Sequence, residues 1–183
     1  SAGALYTQGN VRASPSSLPA TRLIRSASPA TLTLNQTATN TFDGMITGRV
    51  SVVKNGPGLL VLTGTNTTFG SFIVSNGTLR VGLAGTLGNN CTNVVVAGGV
   101  LSLSNSVSIA DQAWLHIGDG AKVELALGVE ESVGWLALGT ALKRSGTYGS
   151  MSSPATYKDG ARFTGSGVLR VLHDTSGLLL SLR

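Results

Sequence analysis

Short runs of alternating apolar and polar residues recur along the chain, and most of them begin at a glycine. The first reads Gly58-Leu59-Leu60-Val61-Leu62, and it returns as Gly77-Thr78-Leu79-Arg80-Val81 and as Gly99-Val100-Leu101-Ser102-Leu103. A shifted version begins at Gly120, and a late copy occupies residues 167–171. Because successive side chains on a strand point to opposite faces, this alternation predicts short strands with one buried face.

The glycines that begin the first four runs lie 19, 22 and 21 residues apart (77−58, 99−77 and 120−99). Strands at a fixed spacing of about twenty residues predict an all-β chain that winds into a parallel β-helix, or β-solenoid, with one coil per repeat. Spacings of about 8–12 residues, which are typical of a β-sandwich or jelly roll, also occur between Leu60–Leu62 and Ile73. That architecture is therefore the alternative.

In the solenoid interpretation, one aliphatic column holds the coils together. The side chains predicted to form this structural core are Leu60, Leu62, Ile73, Leu79, Val81, Leu101 and Leu103.

Composition favours strands and turns over helices. Charged residues make up 11% of the 183 residues, against roughly 25% in a typical soluble domain. Ser, Thr, Asn and Gly take the polar positions instead, and these residues suit strands and turns. The net charge of +5 reflects scarce acids, and its scattered bases do not indicate a nucleic-acid partner.

Two further features limit the class of protein. The single cysteine, Cys91, rules out an internal disulfide and is expected to be a small buried residue. No apolar run reaches the roughly 18 residues of a membrane span, so no transmembrane segment is expected.

One segment has a family resemblance. The residues KNGPGLLVLTGTNT (54–67), TFG (68–70) and NGTLRV (76–81) resemble the passenger-associated transport repeat, also called the autotransporter-associated β-strand repeat. The flanking segments 30–48 and 145–169 are similar to neighbouring and closing segments of such proteins. The resemblance implies a right-handed β-helix in a secreted or cell-surface bacterial protein, used as a structural stalk and supplying no catalytic residues.

The ends of the chain differ in pattern from its middle. Residues 1–29 are expected to form an extended arm, residues 30–172 the solenoid, and residues 173–183 an apolar C-terminal strand. A solenoid has open edges that accept further strands. We therefore expect a structural subunit that self-associates head-to-tail into a filament. The predicted subunit contacts are Leu178, Leu180 and Leu182.

Candidate chemistry is sparse, and neither enzymatic activity nor a catalytic, cofactor or metal site is predicted. Trp114 is a candidate contact for a surface glycan, because exposed aromatic rings stack on sugars, whereas Trp135 is expected in the core or as a cap. Glu130-Glu131 is expected to form a solvated turn. A carbohydrate-binding or carbohydrate-cleaving β-helix is the alternative function. The carboxylates that could meet across coils for cleavage are Asp111, Asp119 and Glu124.

Overall fold

The computed structural model describes residues 3–6, 11–13 and 21–174, and within these residues the chain is all-β. In this described part, twenty strands form three sheets. Sheet A contains β1 (Gly3–Tyr6), β2 (Val11–Ala13), β3 (Thr21–Asn35), β5 (Met45–Asn55), β7 (Thr67–Thr68), β8 (Phe72–Val74), β10 (Asn93–Val96), β12 (Trp114–Ile117), β15 (Trp135–Leu138) and β16 (Ala141–Leu142). Sheet B contains β4 (Asn40–Phe42), β6 (Leu59–Leu62), β9 (Thr78–Val81), β11 (Val100–Leu103), β13 (Lys122–Leu125) and β19 (Phe163–Gly165). Sheet C contains β14 (Glu130–Val133), β17 (Gly146–Gly149), β18 (Tyr157–Lys158) and β20 (Val168–Val171).

The strands stack as a β-solenoid of about 6 turns whose paired positions lie about 21 residues apart. The chain alternates between sheets A and B, so each strand pairs in parallel with a strand of the neighbouring coil. Antiparallel pairing joins β15 to β16 and β17 to β20. The predicted solenoid is confirmed, and the β-sandwich alternative is wrong.

The core consists of aliphatic and aromatic side chains in register from coil to coil. On sheet B one such ladder runs through Leu60, Leu79, Leu101, Val123 and Phe163. All five side chains are buried. The other predicted core residues of this sheet, Leu62, Val81 and Leu103, are also buried.

Ile73 requires a correction. It is half-buried, whereas its neighbours Phe72 and Val74 are fully buried. The register explains this, because Phe72 pairs with the inward-facing Val52. Three consecutive apolar residues leave the direction of alternation open in the sequence, and here the larger Phe72 faces the core.

A left-handed glycine marks the turn between sheets A and B in successive coils. Gly56, Gly77, Gly99 and Gly120 have φ of 79°, 69°, 70° and 78°. At Gly99 a Cβ atom would also overlap the backbone of Gly77 in the previous coil. Gly99 is therefore required both by its backbone angle and by the close stacking of turns.

The structure describes part of the predicted N-terminal arm but almost none of the predicted C-terminal strand. Strand β3 begins at Thr21 and pairs with β5, and Ile24 is buried, so sheet A extends into the predicted arm, residues 1–29. Residues 175–183, with Leu178, Leu180 and Leu182, lie outside the described residues. The described part of the chain holds no helix of the length and hydropathy that a bilayer crossing requires.

One coil carries an insertion. Val123 on β13 pairs with Phe163 on β19, about twice the usual distance along the chain. The extra residues, 139–162, form β16, β17 and β18 and pack against the last coil. The regular stack of sheet A ends where β16 turns back on β15.

Candidate functional site

Three of the buried polar or charged side chains bond to the backbone of a neighbouring coil, and we call them the polar corners of the solenoid. The first is Lys54. Its side chain is fully buried on the inward face of β5, in the ladder position between Leu34 and Val74. Its Nζ donates to the carbonyl oxygens of Asn55 at 3.2 Å, Gly56 at 2.8 Å and Asn76 at 3.1 Å. Burial lowers the pKa of Lys54. The ammonium thus satisfies carbonyls of two adjacent turns that have little access to water.

The second corner is built on Asn66, which is fully buried. Its Oδ1 accepts from the backbone N–H of Ile46 in the preceding coil at 2.7 Å. Its Nδ2 donates to the carbonyl of Thr86 in the following coil at 2.5 Å, and its own N–H donates to Thr86 Oγ1 at 3.0 Å. One asparagine therefore joins three successive coils.

The third corner is Glu131, which corrects the prediction of a solvated Glu130-Glu131 turn. Glu131 is fully buried and its carboxylate accepts from the backbone N–H groups of Ser108 at 3.1 Å and Ile109 at 2.7 Å. Burial raises the pKa of Glu131 to about 7 and the nearby Asp111 adds to the rise, although both hydrogen bonds oppose it. Glu130, by contrast, is exposed.

An aromatic ladder lies on the outer face of sheet A. Trp114 and Trp135 are partners in adjacent parallel strands, and their rings stack with centroids 5.1 Å apart and planes within 10°. His173 packs on Trp135 with centroids 4.5 Å apart and ring planes tilted by 34°, and its Nε2 lies 2.8 Å from Oε1 of Gln112. Trp114 is 38% exposed. Trp135 is half-buried and faces outward, so its predicted position in the core is wrong.

Two shallow depressions adjoin the aromatic ladder, and Gln112 lines both of them. The first, of about 390 Å³, is also lined by Asn89, Val107, Ile109, Ala110 and Asp111. The second, of about 290 Å³, is also lined by Phe69, Asn89, Asn90, Cys91, Thr92 and Ala110. Gln112 also bonds to His173, so both depressions lie next to the His173 end of the aromatic ladder.

The structure accounts for three further polar or reactive side chains, those of Asp119, His116 and Cys91. Asp119 forms a salt bridge with Arg162 across the insertion. His116 Nε2 lies 2.8 Å from the carbonyl oxygen of Gly139. Cys91 is buried, as expected, and burial raises the pKa of its thiol. Among the described residues, no three His, Cys, Asp or Glu side chains are grouped so that they could hold a metal ion.

Comparison with known proteins agrees with this architecture. Residues 52–81 match the model of the passenger-associated-transport-repeat family. This chain contains that repeat. The matched segment runs from β5 to β9 and includes the Lys54 and Asn66 corners.

A relative among curated proteins is the Adhesin BmaC autotransporter of Brucella suis biovar 1 (strain 1330). It is 34% identical over 85 residues, which are 46% of this chain and 2% of the adhesin. No solved structure matches. Together the repeat and this similarity indicate a bacterial surface or secreted protein.

Proposed function

We propose that this chain is a stalk segment of a bacterial surface protein, whose role is mechanical. The supporting observation is the continuity of the stack, in which aliphatic ladders and buried polar corners join one coil to the next. Load along the solenoid axis would be shared by every parallel strand pair, and no reactive group is needed.

We further propose that copies of the chain add to one another head-to-tail. Support comes from the sheet order, because β4 is the outermost of the described strands of sheet B at the N-terminal end. An edge strand has backbone groups free to pair with an incoming strand. The proposed incoming strand is the apolar segment 173–183, with Leu178, Leu180 and Leu182 as its contacts. Such a contact does not close on itself and therefore builds a filament.

Sedimentation velocity over a hundredfold range of concentration, with electron microscopy of the same samples, tests this assembly. We expect concentration-dependent fibres from the unaltered chain and monomers from Leu180→Asp. Leu127→Asp is the matched control, because Leu127 is 88% exposed on a loop of the solenoid. Monodisperse particles at every concentration, or equal loss of fibres in both variants, would refute the head-to-tail contact.

The aromatic ladder supports a second function, the binding of a surface glycan. Trp114 presents part of its ring to solvent, and its stacking on Trp135 restricts the orientation of that ring. Gln112, which lines both depressions, contacts His173 at the other end of the same ladder. A rigid aromatic face next to amide groups suits the apolar face and the hydroxyls of a sugar.

A glycan array with the purified chain tests this second function. We expect micromolar binding that Trp114→Ala abolishes and Trp114→Phe partly retains. Leu83→Ala removes a side chain that is 83% exposed elsewhere and should have no effect. Binding that survives Trp114→Ala would place the glycan elsewhere and end this proposal.

A further inference from the structure

The insertion of residues 139–162 forms an open cleft against the last coil. We call it the tyrosine cleft, and it has a volume of about 380 Å³. Its lining residues are Leu138, Leu142, Lys143, Arg144, Tyr148, Tyr157, Lys158 and Asp159. All except Leu138 belong to the insertion, and in repeat proteins insertions commonly form the binding face.

The aromatic wall of the tyrosine cleft is preorganised. The rings of Tyr148 and Tyr157 lie 4.9 Å apart at 31°, and the Tyr148 hydroxyl donates to the carbonyl of Arg144 at 2.9 Å. A Cβ at Gly146 would lie 2.8 Å from Cε2 of Tyr157, so glycine is needed beneath that ring. Tyr148 is buried, whereas Tyr157 is 36% exposed and offers its ring to a ligand.

The cleft is also positively charged. Arg144 and Lys158 are exposed, and neither forms a salt bridge with a carboxylate in the described part of the chain. Lys158 Nζ donates one long hydrogen bond, of 3.4 Å, to the carbonyl oxygen of Met151, which leaves its other two N–H groups for a ligand. The Asp159 carboxylate accepts from the N–H groups of Ala161 at 2.9 Å and Arg162 at 3.1 Å, which gives it a structural role in the turn. The two cations therefore remain available to an anionic ligand.

We propose that the tyrosine cleft binds an acidic saccharide, a sugar chain with carboxylate or sulfate groups. Tyr157 stacks on a sugar ring, Leu142 extends the apolar surface, and Arg144 and Lys158 bind the anionic groups. The cleft is open, so a polymer can lie across it without burying an end. This site shares no residue with the aromatic ladder and does not depend on self-association.

Isothermal titration calorimetry with the purified chain tests the proposal. The probes are a heparin-derived hexasaccharide for sulfated sugar, hexagalacturonate for carboxylated sugar, maltohexaose for neutral sugar, and inorganic sulfate for the bare anion. We expect at least one acidic saccharide to bind, and maltohexaose and sulfate not to bind at the same concentration.

Substitutions of the cleft residues test where the saccharide binds. Arg144→Ala and Lys158→Ala should each weaken it about tenfold, Tyr157→Ala by a similar factor, and Tyr157→Phe should retain it. The matched control is Arg80→Ala, which removes an exposed arginine on β9 outside the cleft.

The results distinguish binding in the tyrosine cleft from binding at the aromatic ladder and from diffuse charge attraction. Binding that is unaffected by Trp114→Ala but lost in the cleft variants would support the tyrosine cleft, whatever the aromatic ladder binds. Equal weakening by Arg80→Ala and Arg144→Ala would overturn the proposal in favour of diffuse attraction to the net charge of +5. Equal binding of maltohexaose, or full competition by sulfate, would overturn it as well.

Discussion

Glu131 provides a sharp test of the buried corners, because two opposing effects act on one carboxyl group. Its complete burial disfavours the charged form, while hydrogen bonds from the N–H groups of Ser108 and Ile109 favour it. Burial prevails and raises the pKa from its ordinary value of 4.5 to about 7, with Asp111 acting in the same direction. The folded state therefore holds this proton more tightly than the unfolded state does.

The size of the effect follows from that difference in pKa. Since a tenfold change in proton affinity is worth about 1.4 kcal/mol, the rise in pKa from 4.5 to about 7 corresponds to about 3 kcal/mol. Since the folded pKa is raised, the contribution to stability is fully present below pH 4.5 and is lost as the pH rises through about 7. A loss of this size is a large part of the stability of a typical domain.

Glu131→Gln removes the ionisation and resembles the protonated carboxyl in shape. We expect the free energy of unfolding of the unaltered chain, relative to this variant, to fall by about 3 kcal/mol between pH 4 and pH 9. Urea unfolding followed by circular dichroism at several pH values gives both free energies. Glu130→Gln is the matched control, because it makes the same chemical change at the adjacent, exposed position.

The sign of the pH dependence decides between the two effects. If Glu131→Gln is destabilised more at pH 9 than at pH 4, the two backbone hydrogen bonds stabilise the carboxylate more than burial penalises it. If the difference in free energy of unfolding between the unaltered chain and the variant does not vary with pH, the hydrogen bonds offset the whole effect of burial. Either result would refute the burial argument.

Three other substitutions test the register and the corners by denaturant unfolding. Leu79→Ala should cost about 2–5 kcal/mol and Ile73→Ala clearly less, since Leu79 is fully buried and Ile73 is not; equal losses would contradict the register. Lys54→Met should cost about 1–3 kcal/mol because three carbonyls lose their donor, and an unchanged midpoint would count against that corner. Asn66→Ala should cost about the same and speed hydrogen exchange at the Ile46 amide; unchanged exchange there would exclude the bond to the preceding coil.

The solenoid was predictable because the alternation within each strand and the spacing between strands indicate the same fold. Glycine-led alternation marks β6, β9 and β11, and the same spacing sets which residues pair between coils. Leu60, Leu79 and Leu101 are therefore aligned by the repeat itself. Ile73 was misplaced because Phe72, Ile73 and Val74 are all apolar, so hydrophobicity alone could not fix which face was inward.

The buried charges were missed although the alternation contained a signal for them. Lys54 lies an even number of positions from the buried Val50 and Val52, so it falls on the same, inward face of its strand. Glu131 stands in the same relation to the buried Val129 and Val133. Position on the strand, and not residue type, determined which way these side chains point. The same reasoning applied to Leu136 and Leu138 would have turned Trp135 outward.

The tyrosine cleft lies beyond what the pattern could predict. Tyr148 and Tyr157 meet because β17 pairs with β18 inside the insertion, and β17 in turn pairs antiparallel with β20. Such pairing follows no repeat, so neither the spacing nor the alternation of the chain indicates it. Only the three-dimensional structure brings the two tyrosines and the cations of the insertion together.

The polar corners give the stack a specificity that aliphatic ladders alone lack. A strand of Leu and Val that slips by two residues along its neighbour keeps the same face inward and still buries apolar surface. Lys54 and Asn66 bond to particular atoms of adjacent coils, and a slipped register would leave those atoms buried without partners. Such corners therefore penalise misalignment far more than they stabilise the aligned state, which suits a long stalk built from similar coils.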